Sequence, residues 1–466
     1  MADASPPAKV ARTGDAQAPS LGVPRVRFVT DPAGVGAAVK DVVKFKGVLE
    51  LKAPAAPPGF SAARDLLFVL DVSGSMSGEK LAKLVRVVDW AIESATPRDR
   101  VCLVSFNHAS QRLTFFVDCT DSGKAELKAA LAGLKADGGT DIRAALRQAK
   151  DALQERALRK AVTQVVLVSD GQDHEAKAAL GANALDVAAL GAPLYAVGLG
   201  HDHDADLLHD LAKAGSGTFC YAETADDVPV VVGTQVGGVA SAVAAALTCV
   251  ARMVGADKVE TGPVLCEVNN IPFLLAEQTL YFPFEAEVPP EVASLRATLE
   301  FKEVERGATN TVHTEFFFKE FDPQEVGKDA VKPAAHADAV LIDSHFNRVA
   351  AAEAMKRATE LSKTGDWTQA LEALDDAKKS INDSVSANEA LCQSLVQSLD
   401  ELTAKMTEQR DQPNLGGFGG HGALGFALAA MQSHSLQRNT GLESAASAAY
   451  ATNAERLASV AASQHF

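Results

Sequence analysis

The period of the hydrophobic positions changes three times along the chain. Val43, Phe45, Gly47, Leu49 and Leu51 alternate with Lys44, Lys46, Val48, Glu50 and Lys52. A period of two marks half-exposed strands, so residues 21–60 read as the first part of a β-sandwich. Between residues 63 and 250 the pattern becomes continuous apolar runs at 65–71, 100–106, 163–170, 193–200 and 217–222, separated by amphipathic stretches at 78–95, 122–136 and 141–157. Apolar strands alternating with helices predict an α/β unit, a doubly wound and mostly parallel sheet covered on both faces. Residues 111–118 read as an additional, antiparallel edge strand. Alternation returns over 255–322 as four strands with Pro, Asn and Gly punctuation, which would pair with the first strands to give a β-sandwich interrupted by the α/β unit. Helices dominate 336–412 and include an αα-hairpin turning at Gly365-Asp366. Residues 1–20 read as disordered, and 413–466 as a glycine-rich loop (414–425) followed by a helix or tail.

Residues 228–251 carry no charge and are long enough to span a bilayer. Their Ala, Gly, Val and Ser content is weak by insertion scales, so we expect a buried helix running into a strand and no membrane span.

Composition narrows the function. The chain has 466 residues, 47% hydrophobic and 22% charged, as in a folded protein of several domains. Its 44 basic and 60 acidic residues give a net charge of −16, which repels phosphate backbones and argues against nucleic acid as a partner. The six cysteines form no C-x-x-C pair, which excludes zinc-finger and thioredoxin-type sites and suits reduced thiols. The first residues lack the apolar stretch of a secretory signal, so the expected location is cytoplasmic or nuclear. No G-x-S-x-G elbow, Walker loop or H-E-x-x-H motif occurs, and the expectation is a protein that is not an enzyme.

The informative residues are Asp71-Val-Ser73-Gly-Ser75, placed where the first buried strand ends and a helix begins. Gly138-Gly139-Thr140-Asp141 and Ser169-Asp170-Gly171 occupy comparable loops. Ligands of open α/β sheets bind at the carboxyl ends of strands, so all three loops belong to one rim. Oxygen-only ligands suit a hard cation, Mg²⁺ first, with Mn²⁺ or Ca²⁺ as substitutes. With hydroxyls as neutral donors and two carboxylates, the ion stays electrophilic and would accept a carboxylate from a protein partner.

These residues resemble the von Willebrand factor A domain and its metal-ion-dependent adhesion site. The resemblance implies that Asp71, Ser73, Ser75, Thr140 and Asp170 coordinate the metal, directly or through water. Further likeness lies in GLGHDHDADLLHDLAKAGSGTF, in GDWTQALEAL and in SHSLQR, which over residues 40–440 resemble plant von Willebrand A proteins with a subgroup-specific C-terminal domain. Several of those are RING-type ubiquitin ligases of the wavy-root-growth class. The cysteines of a zinc-binding RING are not found in this sequence, so ligase activity is not carried over. An intracellular scaffold or adaptor is the first expectation. The alternatives are a non-catalytic component of a ubiquitin-ligase pathway, with partners there, and a secreted or membrane-associated adhesion protein. His201, His203 and His209, among Asp202, Asp204, Asp206 and Asp210, could suggest a transition-metal site; we read them as a solvated loop with helix-capping aspartates. Trp90 and Trp367 read as core.

Overall fold

The computed structural model describes residues 21–30, 43–170, 173–182, 184–200, 203–289, 291–318, 332–411, 421–437 and Glu455. The expected disordered lead at 1–20 lies outside these residues.

The first two strands, β1 (Arg25–Thr30) and β2 (Val43–Lys52), pair antiparallel, and β2 takes its second partner from far along the chain. Between them and that partner stands the α/β unit. Its strands are β3 (Arg64–Asp71), β4 (Arg100–Phe106), β5 (Ser110–Arg112), β6 (Val117–Asp118), β7 (Val162–Ser169), β8 (Leu194–Leu199) and β9 (Phe219–Ala222). They hydrogen-bond in the order β5-β4-β3-β7-β8-β9, with β3, β4, β7, β8 and β9 parallel. The expected edge strand is present as two short pieces, β5 and β6, both antiparallel to β4. Every residue of β3 is buried, as its unbroken apolar run requires of a strand covered on both faces.

Helices α1 (Glu79–Ser94) and α2 (Asp121–Ala132) cover one face, together with a helix late in the unit. Helices α3 (Ile142–Gln154), α4 (His174–Gly181) and α5 (Ala205–Ala214) cover the other. The late helix is α6 (Val228–Val239), the uncharged segment, buried on most sides against α1 and the sheet. Among the described residues no helix is long and apolar enough to cross a membrane.

The α/β unit ends at α6, earlier than the boundary at 250. Ala242 already opens β10 (Ala242–Gly255), which pairs antiparallel with β11 (Glu260–Leu275) and with β13 (Val292–Glu303). The sandwich therefore has five strands after the α/β unit instead of four, including β12 (Thr279–Val288) and β14 (Thr309–Phe317). One sheet runs β11-β10-β13-β14, and the other β1-β2-β12. The strands before and after the α/β unit thus share a sheet, with Leu51 opposite Leu280 and Leu49 opposite Phe282. Gly47 sits in the alternating pattern because the Phe284 ring crosses it; a Cβ there would meet that ring at 2.6 Å.

The C-terminal part is helical: α7 (Lys332–Lys363), α8 (Trp367–Asn382), α9 (Ala390–Asp411) and α10 (His421–Leu436). Gly365 (φ +82°) and Asp366, whose side chain caps α8, make the expected turn. Residues 414–420 of the expected loop lie outside the described residues, but from His421 the segment is helix. Burial overrides its glycines: Phe426, Ala427 and Ala430 enter the helical core while Leu428 and Ala429 pack on the α/β unit. Trp90 is buried and Trp367 packs against the helical core, both as expected.

The base of the parallel sheet is held by buried ion pairs. Asp65, at the start of β3, takes Arg100 Nε and Nη2 at 2.9 and 2.8 Å and Arg156 Nη1 at 2.8 Å. Asp99 takes Arg64 Nε and Nη2 at 3.1 and 3.0 Å, and Arg64 in turn donates to the carbonyl of Val236 in α6. Burial alone would push Asp99 up, but the Arg64 guanidinium and the N–H groups of Thr96 and Arg64 hold it below its ordinary 3.8. Because the folded value lies below the unfolded one, this stabilisation is complete above 3.8 and disappears as pH falls through the folded value. Asp99→Ala leaves Arg64 buried and unpaired and is expected to cost about 3–5 kcal/mol. Denaturant melts at neutral and acid pH check this: the wild type should approach the variant on acidification, and parallel pH curves would contradict it.

Candidate metal centre

The site is built at the opposite end of β3. Asp71 is its last residue, and the chain then turns through Ser73 and Ser75 into α1. Ser73 N–H donates to Asp71 Oδ1 at 2.8 Å, which folds the turn back over the carboxylate. Ser169, last residue of β7, donates its hydroxyl to Asp71 Oδ2 at 2.6 Å. Asp170 follows and accepts from the Ser75 hydroxyl at 2.8 Å, while the Ser73 and Ser75 hydroxyls lie 3.0 Å apart.

The third loop is brought in through its backbone. Asp137 N–H donates to the carbonyl of Val72 at 2.8 Å, and Gly74 N–H to that of Gly138 at 2.9 Å. Gly138 has φ +77°, and a Cβ on it would meet the His108 ring at 2.4 Å, so the close approach needs glycine. Thr140 stands two residues on, half-buried, just before Asp141 caps α3 through Ala144 N–H. Asp173 caps α4 and also accepts from Ile142 N–H at 2.8 Å, tying the second and third loops together.

Asp71, Ser73 and Asp170 are buried, whereas Ser75 is exposed. Burial pushes the Asp71 carboxyl above the ordinary carboxylate range; the hydrogen bonds from Ser169 and Ser73 oppose that, and the charge of Asp170 adds to it. Among the described residues Asp71 has no cationic partner, only hydroxyl and amide donors. Asp170 Oδ2 is contacted by the ammonium of Lys80.

These features test whether the residues suit a cation. Neighbouring oxygens in an octahedral shell of about 2.0–2.1 Å radius lie about 2.9 Å apart. The spacings Ser73–Ser75 and Ser75–Asp170, 3.0 and 2.8 Å, match that edge. Two buried carboxylates that repel each other, with hydroxyls packed at this spacing, make a donor set for a hard divalent ion. The ammonium of Lys80 already stands there as a positive charge.

Lys80 was missed in the sequence. It had a signal: it is the second residue of α1, where the helix dipole disfavours a cation, so an acidic group nearby was implied. The pairing of Ser169 with Asp71 was equally unread, because it joins distant strands.

The histidine segment differs from expectation. His201 and Asp202 lie outside the described residues. His203 is buried instead of solvated, its Nδ1 2.6 Å from the carbonyl of Gly200 and its ring 5.3 Å from that of Tyr221. Gly198 leaves the space it occupies. His209 pairs with Asp210 at 3.0 Å, Asp204 caps α5 and meets Lys177, and Asp206 meets Lys363. The aspartate caps are thus present, and the imidazole of His203 belongs to the core.

Residues 66–172 match the model of the von Willebrand factor type A domain, and 343–449 match the N-terminal region of the CPSF6-like RSLD domain. The chain carries a von Willebrand factor type A domain. Two solved structures share its architecture. A von Willebrand factor type A protein from Catenulispora acidiphila has a TM-score of 0.56 and 15% identity, covering 82% of this chain and 91% of that one. The ArnB paralog VWA2 from Sulfolobus acidocaldarius has a TM-score of 0.52 and 12% identity, covering 84% and 97%. At these identities the likeness is one of fold. The E3 ubiquitin-protein ligase WAV3 of Arabidopsis thaliana is 33% identical over 121 residues, 26% of this chain and 16% of the ligase. Inter-alpha-trypsin inhibitor heavy chain H2 of Sus scrofa is 29% identical over 163 residues, 33% of this chain and 17% of the heavy chain. The matched segments therefore span about a sixth of these relatives' lengths, and the plant likeness is shorter than the 40–440 expected.

A cation on this site links to folding. Mg²⁺ at about a hundredfold its dissociation constant should add about 2.7 kcal/mol of stability. The thermal midpoint of the wild type should rise with Mg²⁺ and fall back with EDTA, with no response in Asp71→Ala. Lys80→Met, which removes a competing charge, should respond at lower Mg²⁺ concentration. Equal responses in wild type and Asp71→Ala would contradict the assignment.

Proposed function

We propose that this protein is a Mg²⁺-dependent protein-interaction module in which Asp71, Ser73, Ser75, Thr140 and Asp170 hold the ion and a partner supplies an acidic side chain to it. The observation that supports this most is the donor set itself. Two buried carboxylates meet hydroxyls at the edge length of a hard-cation shell, at the carboxyl ends of parallel strands. Bound there, Mg²⁺ supplies an electrophilic position that an outside carboxylate completes. The protein's own residues do the rest: Ser169 and the Ser73 amide fix Asp71, Ser75 fixes Asp170, and the Gly138 backbone brings up the Thr140 loop. Ser75, exposed beside buried Asp71, places the open side of the site at the surface.

A second reading, a non-catalytic role in a ubiquitin-ligase pathway, has its support in the 33% identity to the plant ligase WAV3. The two are compatible, since the same site could select a ligase or its substrate. We place the protein in the cytoplasm or nucleus as part of this reading.

The test is affinity capture in Mg²⁺, in EDTA and with Asp71→Ala, read by mass spectrometry, followed by alanine substitution of acidic residues in the captured partner. Capture that requires Mg²⁺, Asp71 and one partner carboxylate is expected. Capture indifferent to both EDTA and Asp71→Ala would overturn the reading.

A further inference from the structure

The base of the α/β unit, at the other end of the strands from the metal centre, carries a half-open cavity of about 190 Å³. Its wall includes Arg100, Arg112, Arg156, Glu155, Phe115 and Phe116. Three arginines against one glutamate is a local reversal of sign on a chain of net charge −16.

The charges in the wall are unequally committed. Arg100 and Arg156 are both spent on buried Asp65 beneath, so two guanidiniums share one carboxylate. Both also lie over the Phe116 ring, at 5.6 and 5.4 Å from its centroid. Arg112 is different. Its Nη1 lies 2.8 Å from Glu155 Oε2 in an ion pair, yet this buried nitrogen has no partner in hydrogen-bond geometry. Glu155 in turn is the C-cap of α3, where the helix dipole is negative and a carboxylate is disfavoured. Its side chain is half exposed. Arg112 thus holds a poorly placed and displaceable carboxylate.

The rim adds apolar surface and more positive charge. Phe115 is 68% exposed and carries the Arg112 guanidinium 4.4 Å above its ring; Leu158 is 71% exposed, and its carbonyl accepts from Arg100 Nη2. These are two of the six exposed large apolar side chains among the described residues; Phe115 lines the cavity, and Leu158 follows the wall residue Ala157 in the chain. Arg159 and Lys160 follow directly. Burial and the charge of Arg100 hold Lys160, whose ammonium donates to the Arg98 carbonyl, below its ordinary value against the pull of Asp65, Asp99 and Asp118, and Arg159 and Arg100 act on Arg156 in the same sense, so these cations are close enough to repel. Burial pushes the Cys102 thiol in the wall up to about 12, so it is no nucleophile, and the chemistry here is binding.

We propose that this cavity docks an acidic peptide segment of a partner protein. One carboxylate of the segment replaces Glu155 on Arg112, flanking acids face Arg159 and Lys160, and an apolar side chain packs on Phe115 and Leu158. Exposed aromatic and arginine side chains around a pocket are the residue types that dominate binding energy at interfaces. Charge complementarity selects an acidic occupant, and the apolar rim favours a peptide over a phosphate backbone. This surface needs no metal and stands independently of the site at the other rim.

The probe is a fluorescein-labelled Glu-Asp-Leu-Phe-Glu-Asp peptide, followed by fluorescence anisotropy on the full chain in EDTA, beside the same peptide with lysines in place of its acids and a labelled oligo-dT. Saturable binding of the acidic peptide alone is expected. Phe115→Ala should weaken it about fivefold and Arg112→Glu with Arg159→Glu by at least about tenfold. Glu155→Gln should tighten it about threefold, a gain that a misfolded variant could not give. The proposal is overturned by absent binding, by equal binding to Arg112→Glu with Arg159→Glu, by loss of binding in EDTA, by an unchanged or weakened Glu155→Gln, or by oligo-dT binding in place of the peptide.

Discussion

The structure depends on the full burial of strand β3 with a carboxylate at each end. A buried carboxylate must be compensated, and the two ends do so differently. At the base, Asp65 is met by Arg100 and Arg156, and neighbouring Asp99 by Arg64. At the rim, among the described residues, Asp71 is met by the Ser73 amide and by the Ser169 and Ser73 hydroxyls, with no cation, and Asp170 by a hydroxyl and the Lys80 ammonium. At the base each of these buried carboxylates is neutralised by guanidinium groups. The rim holds a negative charge that protein dipoles have oriented without neutralising it, which is the condition under which a divalent cation adds binding and stability together.

The rest of the chain is arranged around that strand. The flanking sandwich closes because β2 and β12 meet in one sheet, fixing where the α/β unit enters and leaves. Helix α10 packs on both the α/β unit and the helical core. Arg348 of α7 donates to the carbonyls of His434 and Tyr281, and Gln437 donates to the Tyr281 carbonyl as well. Burial and the Arg348 charge push His345 and His434 down to about 3, so both are neutral packing groups. His434 and Gln437 therefore stand at a junction between helices and sandwich.

What could be read from the sequence follows from how local the cause is. The Asp71-x-Ser73-x-Ser75 turn was legible because a strand end, a helix start and three oxygens fall within five consecutive residues. The doubly wound sheet was legible from unbroken apolar runs. Lys80 on Asp170, Ser169 on Asp71 and Arg156 on Asp65 were not, because each joins segments that only the folded sheet brings together. The first residues of α10, 421–425, read as loop from their glycines, since propensity is the only local signal there and burial between two cores outweighs it. His203 reads as solvated because its neighbours are charged, while the room left by Gly198 and the Tyr221 ring beside it come together only in the folded sheet. The β10 boundary was misplaced because an uncharged helix and an uncharged strand follow each other without a polar break.

Divalent-cation binding by the oxygens at the top of β3 is what we propose. Its most direct test is the anomalous difference map of crystals grown with Mn²⁺. A peak is expected within coordination distance of Ser73, Ser75 and Asp170, on the side of Asp71 and Thr140, with the Lys80 ammonium moved off Asp170. No peak there at saturating Mn²⁺, with Lys80 still on Asp170, would contradict it.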